Sequence, residues 1–91
     1  MARYTLARPA VDDMTGIYFE GAEAFGLDQA DTYQKEMEHV FELLTGNPGM
    51  GLERAGIVPP IRTFFYGVHV IVYETTSFGI RILRVRHGRE D

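Results

Sequence analysis

The run VHVIVY at residues 68–73 is apolar at nearly every position. A strand that is apolar on both alternating sets of side chains is typical of the centre of a sheet with both faces covered. Because side chains alternate along a strand, His69, Ile71 and Tyr73 are predicted to share one face, and the three valines to share the other. The run therefore predicts a central strand over residues 68–75, around which the rest of the chain is arranged.

Three other segments carry the signature of strands. Residues 61–66 and 80–86 are rich in β-branched and aromatic side chains, and they are separated from the central run by Gly67 and by a turn at residues 76–79. Such short connections predict an antiparallel meander. Near the amino terminus, residues 3–6 alternate between polar and apolar side chains, which indicates a further strand with one face inward.

Two segments between the first strand and the meander have apolar residues at helical spacing. The first is predicted to begin at Pro9, which suits the first turn of a helix, and to end at Gly26. The second is predicted to take Asp28 as its N-cap and to continue to Leu44. With only Gly26 and Leu27 between them, the helices must form an antiparallel hairpin whose apolar stripes need a sheet to cover.

Residues 46–60 are rich in glycine and proline and lack a periodic pattern, which predicts an ordered surface loop. The sequence thus predicts one α+β domain over residues 1–91. Its order is an N-terminal strand, an antiparallel helical hairpin and a three-stranded antiparallel meander, with the hairpin packed on one face of the sheet.

Composition narrows the class of protein. The 91 residues include no cysteine and no apolar run long enough to span a membrane, which favours a cytoplasmic protein. The net charge of −4 is unevenly distributed, because residues 12–53 carry ten acidic side chains against Lys35 alone, whereas residues 54–91 carry six arginines. An acidic chain with one lysine is poorly suited to neutralising phosphates, so direct nucleic-acid binding is not expected.

Several segments, in this order and spacing, resemble the ParE branch of the RelE/ParE toxin superfamily across almost the whole chain. They are Asp12-Asp13-Met14, Phe25-Gly26, residues 47–51, the stretch 62–73 with Gly67, His69 and Tyr73, and residues 82–89. The resemblance implies the toxin of a type II toxin-antitoxin system, wrapped by the C-terminal segment of a ParD-like antitoxin. It also implies inhibition of DNA gyrase, and a complex of two toxins with two antitoxins or a multiple of that.

The alternative is a ribosome-dependent mRNA endoribonuclease like the RelE members of the superfamily. Such an enzyme needs clustered cationic and proton-transferring side chains around the scissile phosphate. Here His69 stands where RelE proteins have an arginine, Gly88 stands at their C-terminal arginine, and no tyrosine follows Tyr73. We therefore predict a non-enzymatic protein without catalytic residues. A toxin that keeps antitoxin binding but has lost its activity is a third possibility.

Contact residues are predicted from the resemblance and from the arginines near the C-terminus, because arginine pairs well with carboxylates across interfaces. For the antitoxin they are Tyr18, Arg62, Tyr73, Arg81 and Arg84; for the target they are Arg86, His87 and Arg89. Strand alternation places Arg84 and Arg86 on the face of Ile80 and Ile82. The opposing interpretation is that these arginines only offset the acidic helices.

The three histidines favour structural roles over chemistry. His69 lies in an apolar strand, where a hydrogen-bonded structural residue is the usual case, and His39 is expected to pair with a glutamate on the helix surface. His87 follows the last strand, and both a partner contact and simple exposure fit it. No two histidines have a close metal-ligand spacing, and no phosphate-binding loop with a lysine is present, so no metal or cofactor is expected.

Overall fold

The computed structural model describes residues 2–89 and has the predicted α+β architecture. Two helices follow the first strand, and four further strands complete the chain. The elements are β1 Arg3–Leu6, α1 Arg8–Phe25, α2 Leu27–Gly46, β2 Leu52–Glu53, β3 Arg62–Tyr66, β4 His69–Thr75 and β5 Gly79–His87. The meander over β3, β4 and β5 and the helical hairpin are confirmed.

The strands form one sheet in the order β1-β5-β4-β3-β2, so β4 is central as predicted. β1 pairs in parallel with β5, and the other neighbours are antiparallel. A parallel partner requires a crossover connection, and the helical hairpin provides it. The hairpin covers one face of the sheet, here called the inner face; the opposite side is called the outer face.

The core lies between the hairpin and the inner face. Its fully buried large side chains are Met37, Phe41, Leu44, Ile71, Tyr73, Ile80 and Ile82. The β4 side chains that face the hairpin are the predicted ones. Ile71 and Tyr73 are buried there, and His69 is partly buried. The prediction that both faces of β4 are covered is wrong for the chain alone: Val70 and Val72 on the outer face are only partly buried.

The turn between the helices is shorter than predicted. Gly26 alone separates them, with φ of 92° and ψ of 163°, a conformation that glycine adopts without strain. α2 therefore begins at Leu27, and Asp28 lies in its first turn without making a side-chain cap. The predicted N-cap role of Asp28 is thus wrong, although a carboxylate in the first turn still stabilises the helix dipole.

The predicted loop contains regular structure that its sequence does not signal. A 3-10 turn at Pro48–Met50 leads into the two-residue strand β2, whose residues pair with Thr63 and Arg62 of β3. Side chains from the sheet fix this segment, because the Tyr73 hydroxyl donates to Pro48 O at 2.7 Å and accepts from Gly51 N at 2.9 Å. The meander therefore gains a fourth antiparallel strand at its edge.

A β-bulge changes the direction of the arginines on β5. The register against β4 shifts between Val72 and Tyr73, which are opposite Arg84 and Ile82. The extra residue in β5 reverses the alternation after Ile82, so Val85 rather than Arg84 points into the core. The expectation that Arg84 and Arg86 share a face with Ile80 and Ile82 is therefore wrong; they are opposite Val72 and Val70 on the outer face.

Candidate partner-binding groove

An open groove lies between the distal half of the helical hairpin and one end of the sheet. It has a volume of about 900 Å³, and its walls come from α1, α2 and the turn between β3 and β4. Apolar side chains dominate the rim, where Phe25 is 71% exposed and Val68 is 59% exposed. A concave apolar surface of this kind is typical of binding sites on small domains.

A cluster of three ring side chains forms the floor of the groove. The Tyr33 hydroxyl and His69 Nδ1 are hydrogen-bonded at 2.7 Å, and the rings of His69 and His87 meet edge to face with their centroids 5.8 Å apart. His69 and His87 are opposite each other in the β4–β5 register, so the backbone fixes their pairing. Burial raises the pKa of the Tyr33 hydroxyl, which therefore stays protonated at neutral pH.

Gly67 allows the β3–β4 turn to approach this cluster. Its φ is 57°, and a methyl group there would lie 2.6 Å from the Tyr33 hydroxyl, which is too close for a stable contact. The Tyr33 hydroxyl also donates to Tyr66 O at 3.3 Å. The turn is therefore held against α2, and this contact sets the width of the groove at its sheet side.

Tyr18 lies where the sequence predicts a contact residue, on the α1 wall of the groove. Its hydroxyl donates to Asp31 of α2 at 2.7 Å. This hydrogen bond to a carboxylate raises the pKa of Tyr18. The bond links the two helices across the hairpin and orients the ring of Tyr18 at the groove wall.

Arg84 is paired within the chain. Its guanidinium donates to both carboxylate oxygens of Asp13, with Nε at 2.7 Å, and the Val85 N–H donates to the same carboxylate at 2.9 Å. Partial burial acts to raise the pKa of Asp13, but the hydrogen bonds from Arg84 and Val85 outweigh it and lower that pKa. This Asp13–Arg84 clamp joins α1 to the bulge in β5, as the charge-offset interpretation expects.

The other predicted antitoxin residues lie away from the groove. Tyr73 is fully buried, so it does not fit a direct contact; its hydroxyl instead holds residues 48–51. Arg62 donates to Gly51 O at 2.6 Å and contacts Glu53, at the opposite side of the sheet. Arg81 is exposed on the outer face, opposite Glu74.

The predicted target residues divide between two surfaces. His87 points inward and lines the groove, whereas Arg86 is on the outer face opposite Val70. Arg89 follows the end of β5, and its backbone N–H donates to His87 Nδ1 at 3.2 Å. All three residues are basic, so residue type does not indicate which surface each one lies on. The register of β5 against β4 does.

Sequence reasoning missed most of the groove wall. No binding role was predicted from the sequence for Phe25, Tyr33, Gly67 or Val68, all of which line the groove. Phe25 lies at the end of α1, and Val68 lies just before β4. An apolar side chain at such a position extends beyond the core, and this could have indicated an exposed apolar surface. Of the described histidines, His39 lies on the helix surface 3.9 Å from Glu42, as expected.

Among residues 2–89, no three His, Asp or Glu side chains lie close enough together to hold a metal ion. Neither described helix is both long and apolar enough to cross a membrane. His69 and His87 are in edge-to-face contact, and His69 Nδ1 is hydrogen-bonded to the Tyr33 hydroxyl.

Comparison with known proteins identifies the family. The family described as the ParE toxin of the type II toxin-antitoxin system parDE matches residues 4–91. The chain belongs to the ParE toxin family. It is 32% identical to Toxin ParE1 of Mycobacterium tuberculosis, over 99% of this chain and 93% of that protein. It is 30% identical to Toxin ParE1 of Caulobacter vibrioides, over 96% of this chain and 90% of that protein.

A solved structure described as the chromosomal ParDE TA system from P. aeruginosa has the same fold as this ParE chain. The TM-score is 0.77 at 21% identity, and the match covers 96% of both chains. At that identity the likeness establishes the fold alone. Family membership makes the chain a ParE-type toxin of a type II toxin-antitoxin system.

Proposed function

We propose that this toxin is neutralised by a ParD-like antitoxin whose C-terminal segment occupies the groove. The observation that carries the proposal is the apolar rim of Phe25 and Val68 above a floor of ring side chains. An amphipathic segment that inserts apolar side chains between the hairpin and the sheet would remove these exposed apolar surfaces from water, which favours binding. Tyr18, on the groove wall, is the antitoxin contact from the sequence that this arrangement supports best.

We further propose that the active toxin inhibits DNA gyrase by binding it, without catalysing a reaction, in the cytoplasm. The supporting observations are that Arg84, one of the cations that a RelE-like site would use, is held by Asp13, and that His69 Nδ1 is hydrogen-bonded to the Tyr33 hydroxyl as part of the groove floor. The predicted target contacts Arg86 and Arg89 lie at the end of β5, outside the groove. The third predicted target contact, His87, lines the groove, so the proposed target surface borders the antitoxin groove at the end of β5.

The assembly we propose contains two toxins with two antitoxins, or a multiple of that, because ParD-like antitoxins are expected to dimerise through their own N-terminal domain. Each toxin then binds one antitoxin segment through its own groove. Light scattering of the copurified pair measures the mass and tests this stoichiometry directly.

One experiment tests the activity. The toxin is purified from its antitoxin complex, and supercoiling by purified gyrase is assayed beside mRNA integrity in cells that express the toxin alone. Loss of supercoiling with intact mRNA supports gyrase inhibition. Cleaved mRNA with unaffected gyrase overturns it in favour of a ribonuclease that uses Arg84, Arg86 and His87. If neither changes while the antitoxin still binds, the chain is an inactive toxin.

A second experiment tests the groove. Substituting Val68→Asp places a charge on the apolar rim at a residue that is 59% exposed, so folding is expected to survive. We expect antitoxin affinity to fall at least about tenfold, since an unpaired charge must be desolvated in the complex. Unchanged affinity in an isothermal titration would contradict the proposed position of the antitoxin.

A further inference from the structure

The outer face of the sheet is apolar although neither helix covers it. Val70 of β4 is opposite Phe65 of β3, and Val72 is opposite Thr63, which in turn is opposite Leu52 of β2. Leu52 and Phe65 are 67% and 60% exposed. The solvated face of a two-layer fold normally alternates to polar side chains. The apolar pattern of β4 therefore indicates a face that is buried in a complex.

A row of arginines borders this apolar strip along β5. Arg81 and Arg86 are opposite Glu74 and Val70 in the register, so both project from the outer side of the strand, whereas Arg84, opposite Val72, is turned to Asp13 of α1. The helical hairpin on the other side of the molecule carries most of the acidic residues. The outer face is thus the basic side of an acidic protein, and its charge suits a partner surface with carboxylates.

The C-terminal turn is continuous with this face. The Gly88 N–H donates to Val68 O at 2.7 Å, and a methyl group at Gly88 would lie 3.4 Å from the Phe65 ring. Gly88, which precedes the predicted target contact Arg89, therefore lies beside Phe65. A partner that contacts Arg89 reaches the apolar strip without crossing the groove.

We propose that the outer face of β3, β4 and β5 is a second docking surface, and that it binds a target-protein surface with an apolar centre and an acidic rim. The proposal rests on the proposed function, because it takes the target to be a protein. An apolar strip that includes Phe65 favours a protein over nucleic acid, since phosphates gain nothing from Leu52, Phe65 or Val70. Antitoxin and target would then recognise opposite sides of β4.

Three phenylalanines with similar exposure permit a matched test. Phe65 on the outer face is 60% exposed, Phe25 at the groove is 71% exposed, and Phe19 on the hairpin is 63% exposed. Each is changed separately to serine in the full chain, and thermal unfolding confirms that each variant folds. For each variant, inhibition of supercoiling by purified gyrase and affinity for the antitoxin are measured.

We expect Phe65→Ser to weaken gyrase inhibition at least about tenfold and to leave antitoxin affinity unchanged, as for the loss of a central interface side chain. Phe25→Ser is expected to show the opposite pattern, and Phe19→Ser neither effect. The conservative variant Phe65→Leu should retain most of the inhibition. Raising the ionic strength should weaken inhibition by the unsubstituted toxin, because the arginine row contributes.

Two results would overturn the inference alone. One is full gyrase inhibition by folded Phe65→Ser, and the other is a loss of antitoxin affinity in that variant as large as in Phe25→Ser. If the unsubstituted toxin cleaves mRNA and leaves gyrase active, the proposed function fails, and the protein partner of the outer face fails with it. Gyrase inhibition by the unsubstituted toxin therefore shows whether the proposed function fails or only the assignment of the outer face fails.

Discussion

The two faces of β4 carry equally apolar side chains and have different surroundings. On the inner face, Ile71 and Tyr73 are fully buried under the hairpin. On the outer face, Val70 and Val72 are only partly buried, and the neighbouring Phe65 is largely exposed. The same apolar pattern therefore stabilises the fold on the inner face and, under the proposed docking, forms a surface that a partner covers on the outer face.

The largest expected difference between the faces is in stability. Ile71→Ala removes a fully buried side chain and should lower the free energy of unfolding by about 2–5 kcal/mol. Val70→Ala on the outer face removes partly exposed methyl groups and should cost about 1 kcal/mol. Urea denaturation measures both, with an unchanged dependence on denaturant as the control. Equal losses would mean that the outer face belongs to the folding core.

A smaller effect is expected from the hydroxyl that anchors the edge of the sheet. Tyr73→Phe leaves Gly51 N and Pro48 O without their buried partner and should cost about 1–3 kcal/mol. Tyr66→Phe is the control, because the Tyr66 hydroxyl donates to Glu36 on an exposed part of the surface. We expect the control to cost well under about 1 kcal/mol. Similar costs for the two variants would show that residues 48–51 are held by other contacts.

The Asp13–Arg84 clamp should make the join between α1 and β5 sensitive to acid. The pKa of Asp13 is lowered in the folded chain, so its stabilising effect is fully present above the unfolded value of 3.8 and is lost as pH falls through the folded value. Asp13→Asn should cost about 1 kcal/mol at pH 7, since Arg84 is partly exposed and the pair is screened. The difference between variant and parent should shrink below about pH 4. A difference that is constant with pH would contradict the ionised clamp.

Sequence patterns were sufficient to predict the architecture because the residues of each main helix and strand favour the structure that they adopt. Helical spacing identified both helices, and the VHVIVY run identified the central strand together with its inner set of side chains. The pattern failed where a tertiary contact determines the structure. β2 exists because Tyr73 and Arg62 hold residues 48–53, and neither partner is close in sequence.

The site was less predictable than the fold for a related reason. The bulge in β5 reverses the alternation after Ile82, and no residue in that stretch signals it. The predicted contacts on β5 therefore lie on surfaces other than those expected, with His87 in the groove and Arg84 bound to Asp13. The groove itself depends on how far the hairpin extends beyond the sheet, which periodicity does not encode.

The smallest expected effect is that of removing the Tyr18 hydroxyl, which tests whether the ring or the hydroxyl of Tyr18 contacts the antitoxin. The hydroxyl donates to Asp31 in an exposed hydrogen bond, so Tyr18→Phe should leave stability almost unchanged. Because the ring lines the groove, Tyr18→Phe should leave antitoxin affinity within about twofold, whereas Tyr18→Ala should weaken it. Titration calorimetry with the antitoxin separates these outcomes. If the phenylalanine variant binds as weakly as the alanine variant, the hydroxyl or its bond to Asp31 makes the contact, and the apolar ring does not account for binding at this wall.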